Sequence, residues 1–194
     1  MGKLIVAACF ATLLAGCAST GPASIPLVWK PTTSTTKAGV TDLTARAQDK
    51  VRIEVTDARS DPNVIGRNVE KLPPRKVTTP DNVAAFVNEH LSQLIAGTGV
   101  TQIDSAGALT LKAEILQFFV EEAQTYKGSV RLKITLNNSS GVPVWSGITT
   151  GTSTRFGRSF QPENYYETLS NSLVDATRNL MQNAAFRSAL ESAS

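Results

Sequence analysis

Two stretches of strict alternation constrain this chain more than anything else in it. Leu109, Leu111, Ala113 and Ile115 alternate with Thr110, Lys112 and Glu114; after Tyr126, Val130, Leu132, Ile134 and Leu136 alternate with Arg131, Lys133 and Thr135. Successive side chains of a strand point to opposite faces, so each run reads as a strand with one buried face. Asn137-Asn138-Ser139-Ser140-Gly141 supplies a turn, and Val142-Pro143-Val144-Trp145-Ser146 opens a third strand that runs on to about Thr154. Three consecutive strands with short connections imply an antiparallel meander, whose apolar face must be covered by other elements.

Two helical patterns can cover it. Thr79-Pro80-Asp81 gives a start signal: an N-cap hydroxyl, a proline at the first helical position and an acid in the first turn. Val83, Val87, Leu91 and Leu94, with Phe86 and Ile95 beside them, form one apolar stripe ending at Gly97. Pro162-Glu163 opens the second helix, with Tyr166, Leu169, Leu173, Ala176 and Leu180 spaced three and four apart; Phe186 and Leu190 dock a short terminal turn. Upstream, Val51-Arg52-Ile53-Glu54-Val55-Thr56-Asp57 alternates at period two and begins the domain. The expected fold class is α+β, a mostly antiparallel sheet of four or five strands with two helices packed on one face. The expected order is strand, helix, three-strand meander, helix. The stretch 58–78 is too long for a plain loop in a compact domain, and 65–69 and 75–78 are candidates for short strands.

Composition excludes several function classes. Nineteen Lys and Arg against 16 Asp and Glu, dispersed along the chain, make no electrostatic footprint for nucleic acid. One His and two Cys, both cysteines within the first 17 residues, leave too few ligands for a zinc or iron-sulfur site, and no cofactor or metal is expected. His90 has no Ser or Cys at a motif spacing to activate and reads as a surface or boundary residue. Glu121 and Glu122 are neighbours on a strand, so they point to opposite faces and cannot flank one bond. Neither a glycine-rich phosphate loop nor a nucleophile elbow is present, and the expectation is a protein that is not an enzyme.

The N-terminus carries an address. Lys3 precedes a run from residue 4 to 14 that is apolar apart from Thr12 and too short to span a bilayer, which takes about 20 residues. Leu14-Ala15-Gly16-Cys17 follows at once and resembles the bacterial lipobox. The resemblance implies that the Cys17 thiol takes a diacylglyceryl group, that the chain is cut between Gly16 and Cys17, and that the freed amine is acylated. Several acyl chains anchor a protein effectively permanently, at about 0.8 kcal/mol per buried methylene. Ala18 rather than Asp after the cysteine points, by the sorting rule of enteric bacteria, to the periplasmic leaflet of the outer membrane. Cys9 is lost with the signal, so the mature chain has no pair for a disulfide. The domain division is then 1–16 signal peptide, 17–49 lipidated cysteine and Ser/Thr/Pro-rich tether, and 50–194 a single periplasmic domain. A flexible tether of some 30 residues would hold the domain about 30 Å from its anchor. Within it Ile25-Pro26-Leu27-Val28-Trp29 is apolar and reads as a short extended piece docked on the domain; the alternative is a membrane-proximal patch that merely touches lipid.

Taken in order, the lipobox, the strand from 51 to 55 running into Asp57-Ala58-Arg59, the long Arg/Lys-containing stretch before the first helix, Gly97-Thr98-Gly99 after that helix, the strand from 127 to 136, the segment 138–145 and the closing helix from Tyr165 with Phe186 and Leu190 resemble the YajG-type bacterial lipoproteins. This is a family of envelope proteins without an established activity. The match covers nearly the whole chain, and the tether is longer than the family leads one to expect. A looser resemblance is to auxiliary lipoproteins of ABC-type lipid transport systems.

Three clusters are candidate sites for a partner. Asp57 and Arg59 lie just past a strand end, where an acid and a base side by side could hold a polar group; the alternative is an internal turn and ion pair. Arg59, Arg67, Lys71, Arg75 and Lys76 outnumber Asp57, Asp61 and Glu70 and could face lipid phosphates or cell-wall carboxylates, or simply be solvated. Arg155, Phe156 and Arg158, in Thr154-Arg155-Phe156-Gly157-Arg158-Ser159-Phe160, interleave arginine with aromatics and could grip a ring or an anionic head group. The alternative there is Phe160 as a hydrophobic staple and Phe156 capping the core. The functional expectation is a lipid-anchored, non-enzymatic binding or structural accessory domain of the cell envelope, held to the membrane by its lipid and partnered by an envelope protein or cell-wall component. The alternative is an auxiliary lipoprotein of an ABC-type lipid transport system, which predicts an apolar groove between helices and sheet. A cell-wall hydrolase is a minor third.

Overall fold

The computed structural model describes residues 23–33, 50–102 and 109–192. In chain order the elements are β1 (Ala23–Ser24), β2 (Lys50–Asp57), β3 (Val64–Asn68), β4 (Arg75–Thr78), α1 (Val83–Ala96), β5 (Thr101–Gln102), β6 (Leu109–Glu122), β7 (Tyr126–Asn137), β8 (Pro143–Arg155), α2 (Pro162–Gln182) and α3 (Ala184–Ser192).

The sheet is organised around β6. Its 14 residues are enough for one edge to carry β7, antiparallel, along nearly its whole length. The other edge carries two shorter strands end to end, both parallel: β2 beside 109–115 and β3 beside 120–122. β8 lies antiparallel outside β7, β4 antiparallel outside β3, β1 parallel outside β4, and β5 parallel beside β2.

This corrects the expected fold class. Eight strands form one mixed sheet in which four of the seven pairings are parallel, and three helices accompany it; it is not a mostly antiparallel sheet of four or five strands with two helices. The reason is physical. Alternation fixes which face of a strand is buried but not which way its neighbour runs. A parallel neighbour requires a crossover, and the chain between β2 and β6 supplies one that includes α1.

The helices share one face of the sheet. Val130, Leu132, Ile134 and Leu136 of β7 point into it, meeting Leu169, Leu173 and Leu180 of α2, while Val87, Leu91 and Ile95 of α1 join the same core. Two glycines set the depth of α2. A Cβ on Gly151 would sit 2.1 Å from the backbone nitrogen of Ala176, and one on Gly128 would sit 2.6 Å from Cγ2 of Thr168. Thr168, Ser172 and Ala176, four residues apart, therefore form the small row that lies on the strands. α3 closes the end of the layer with Phe186 edge-on to Trp145, ring centres 5.1 Å apart.

Two local details differ from the sequence reading. α1 begins at Val83 with Asn82 as its N-cap, the Asn82 side chain accepting from the Ala85 N–H at 2.9 Å. Thr79 and Asp81 precede it, and Asp81 instead accepts the Leu27 N–H at 2.6 Å. In β6 the register shifts between Ile115 and Gln117, so the core-facing positions change from 109, 111, 113 and 115 to 118, 120 and 122.

Residues 23–33 belong to the fold although they fall within the expected tether. Ala23 and Ser24 add β1 to the sheet, the Ile25 N–H donates to the Thr78 carbonyl, and the segment then crosses both helices. Trp29 stacks on His90 of α1, ring centres 4.2 Å apart and 9° from parallel. The Lys30 N–H donates to Ser170 Oγ and the Thr32 and Thr33 N–H groups to Asn171 Oδ1, all on α2. The segment is a strap over the helical layer.

Candidate functional site

At the C-terminal end of β6 the sheet finishes in a buried carboxylate. Glu122 is fully buried; its Oε2 accepts from the Tyr165 hydroxyl at 2.7 Å, and its Oε1 accepts from Ser159 Oγ at 3.0 Å and from the Phe160 N–H. The Tyr126 hydroxyl lies 3.0 Å from Oε1 and 2.6 Å from the Arg158 carbonyl, so its one proton serves either acceptor, and it accepts the Gln161 N–H at 3.2 Å. Burial first, then the Glu122 hydrogen bond and charge, pushes the Tyr165 phenol up from its ordinary value. Burial likewise raises Tyr126, with Asn164 and the Gln161 N–H opposing and Glu122 adding. Both phenols thus stay protonated donors. The contacts of Ser159 and Phe160 with this carboxylate, and of Arg158 and Gln161 with the Tyr126 hydroxyl, pin the loop 156–161 between β8 and α2. Phe160 takes a left-handed conformation there, at φ 51°.

The same end gathers several of the residues singled out by sequence. Arg75 opens β4 opposite Asn68 and lies over the Phe160 ring, 5.2 Å from its centre, while Asn68 Nδ2 donates to Ser159 Oγ at 3.4 Å. The turn 69–74 and the loop 156–161 are therefore neighbours. Each presents an apolar side chain to solvent: Leu72 is 92% exposed and Phe156 83%. Phe156 does not cap the core. Arg158 and Lys71 are exposed beside them, and Lys127, opposite Glu121, is exposed at the start of β7. Arg155 is drawn inward, its Nε donating to Asn164 Oδ1 at 2.7 Å and its guanidinium pairing with Glu167, which also takes Lys30 of the strap at 3.0 Å.

Asp57 and Arg59 lie apart from this end and are occupied with each other. Arg59 forms a two-pronged pair with Asp57, at 2.8 and 2.7 Å, and its remaining N–H groups donate to the carbonyls of Pro62, Val64 and Phe118. All five guanidinium donors are spent inside the protein, tying the 58–63 loop to β6. Gly16 and Cys17 lie outside the described residues.

The sheet face away from the helices is uncovered by any described element. It carries cross-strand pairs, Lys133 with Glu114 at 2.9 Å and Arg67 with Glu121, together with exposed Arg131, Ile148 and Thr150. Among the described residues no group of three His, Cys, Asp or Glu side chains could hold a metal ion. No described helix is long and apolar enough to cross a membrane.

Sequence reading did not find the Glu122 cluster, Leu72 or the stacking of Trp29 on His90. The available signal for the last was the apolar strap itself; for Glu122 the bulge in β6 hides it.

No family model and no curated protein matches this chain. Among solved structures, a protein from Xanthomonas campestris described by the family model DUF330 is similar at a TM-score of 0.59 and 12% identity, over 88% of this chain and 99% of that one. A minor lipoprotein from Acinetobacter baumannii is similar at a TM-score of 0.46 and 8% identity, over 72% of this chain and 94% of that one. The fold described above is shared with the Xanthomonas protein over nearly its full length.

Proposed function

We propose that this protein is a lipid-anchored lipoprotein of the bacterial cell envelope, of the kind that the YajG-type resemblance implies, and that it works by binding a partner rather than by catalysis. One observation carries the reading: the strap 23–33 is built into the fold, so no more than five residues intervene between the lipobox cysteine and the domain. An anchor this close leaves the domain little freedom to roam. It suits a component held at a fixed place in an assembly. Anchoring in the periplasmic leaflet of the outer membrane is part of the proposal and rests on Ala18.

The charge-bearing clusters support a non-enzymatic role. Glu122, Glu167, Asp57 and Arg59 are each taken up by partners that join one element to another. The auxiliary transport reading calls for an apolar groove between helices and sheet; Phe86, Phe118, Leu91 and Leu173 fill that layer as one continuous core, which favours the binding reading.

The test is photocrosslinking in cells of the native host from positions 131 and 148 on the uncovered sheet face, with positions 59 and 155 as internally engaged controls. Adducts from the sheet face to an envelope protein or cell-wall component are the expected result. Adducts to the permease or substrate-binding component of an ABC transporter would move the reading to the transport accessory, and no adduct from the sheet face would overturn it.

A further inference from the structure

We infer that the end of the sheet bearing Leu72 and Phe156 rests on the bilayer, with Leu72 and Phe156 entering the head-group region and Lys71, Lys127 and Arg158 facing anionic phospholipid. The inference rests on the proposal that Cys17 is lipidated, and it adds which way the domain then faces. Three observations carry it. The first is where the chain enters. β1 is parallel to β4, with Ala23 beside Val77 and Ser24 beside Thr78, so the chain arrives at Ala23 from the side of Arg75 and the 69–74 turn. The second is length. Five residues separate Cys17 from Ala23, and a fully extended chain covers at most about 3.5 Å per residue, so the fold enters within about 20 Å of the lipidated residue.

The third is the chemistry of that end. Leu72 and Phe156 are the most exposed of the large apolar side chains among the described residues, and the strand ends that flank the 69–74 turn, Asn68 and Arg75, touch the 156–161 loop that follows Phe156. A solitary exposed leucine needs no explanation, but two on adjoining loop tips beside the anchor form a surface. Three exposed cations, Lys71, Lys127 and Arg158, accompany them against Glu70 and Glu163, and Glu121 is already paired with Arg67. Among the described residues Lys71, Lys127 and Arg158 have no carboxylate partner, which leaves their charge available to lipid phosphates. The buried Glu122 cluster fixes the 156–161 loop, so Phe156 is presented on a rigid support.

The experiment uses the mature, acylated protein purified from membranes and reconstituted into vesicles of phosphatidylethanolamine and phosphatidylglycerol. Cys17 carries the lipid, so a single new cysteine at Leu72→Cys, Phe156→Cys or, as the distant reference, Val142→Cys takes an environment-sensitive fluorophore. Quenching lipids with nitroxide on the upper acyl chain report contact. The expected result is strong loss of emission at 72 and 156 with none at 142, and partial recovery when Lys71→Gln and Arg158→Gln are added. Emission at 72 and 156 as unquenched as at 142, in protein whose mass shows an acylated Cys17, would overturn the orientation alone; that is also the outcome if this end docks a protein. A purified chain without acyl groups on Cys17 would overturn the anchor and this inference together.

Discussion

Glu122 shows how much one side chain can hold. Its two oxygens gather two phenols, a serine hydroxyl and a backbone N–H from β7, the β8–α2 loop and α2. Truncating it removes the acceptor of the Tyr165 and Ser159 hydroxyls and the Phe160 N–H, while Tyr126 keeps the Arg158 carbonyl, and Glu122→Ala should cost about 3 kcal/mol in equilibrium unfolding, with Glu122→Gln costing less because one acceptor oxygen survives. The phenols add a pH dependence. Tyr126 and Tyr165 have raised values in the folded state against about 10 when unfolded. Above that value the unfolded chain releases protons that the folded chain keeps. Their contribution is therefore present in full below about pH 10 and is lost as pH rises further. Denaturant midpoints measured between pH 8 and 11 should fall across the upper part of that range, and fall less in Tyr165→Phe. Trp29 is the other residue with a disproportionate role. Trp29→Ala removes the stack on His90 and should cost about 1–2 kcal/mol while exposing the strap to proteolysis near Lys30.

At the level of elements, α2 on the β7–β8 hairpin is the tightest contact, because Gly128 and Gly151 let helix backbone approach strand backbone. Gly151→Ala puts a methyl against main-chain atoms that cannot rotate away, and about 3 kcal/mol of destabilisation should appear in thermal unfolding. Much of this layer was legible in sequence: the alternation from 109 to 115 and 130 to 136 and the stripe Leu169, Leu173, Ala176, Leu180 mark the buried faces that the structure has. Glu122 was not, because the bulge at residue 116 inverts the phase of β6. Continued from Ile115 without it, the alternation would turn Glu121 inward and Glu122 outward. The start of α1 was misplaced because Thr79-Pro80-Asp81 and Asn82 both offer capping side chains, and Asp81 is claimed by the strap. The parallel pairings were out of reach for a different reason. β3 and β4 have five and four residues, and their places depend on the length of β6, a long-range fact that no local pattern encodes.

For the molecule as a whole, the strap changes the picture of the anchor. A free tether over 17–49 would let the domain float about 30 Å above its lipid. With 23–33 docked across β4, α1 and α2, only five residues separate the lipobox cysteine from the fold, and on the proposed lipidation the domain would sit close to its anchor. Among the candidate residues, Arg75, Phe156 and Arg158 come together at the end of the sheet bearing Leu72, whereas Asp57, Arg59 and Arg155 tie the scaffold together. The account as a whole depends on the chemistry of Cys17. The most direct measurement is the intact mass and N-terminal peptide mass of the protein extracted from membranes of the native host, beside the fractionation of Cys17→Ala. The account predicts a chain that begins at Cys17 carrying diacylglyceryl and N-acyl groups, and a variant that leaves the membrane fraction. A mature chain that begins elsewhere, or an unmodified Cys17 in a protein that still sediments with the membrane, would contradict it.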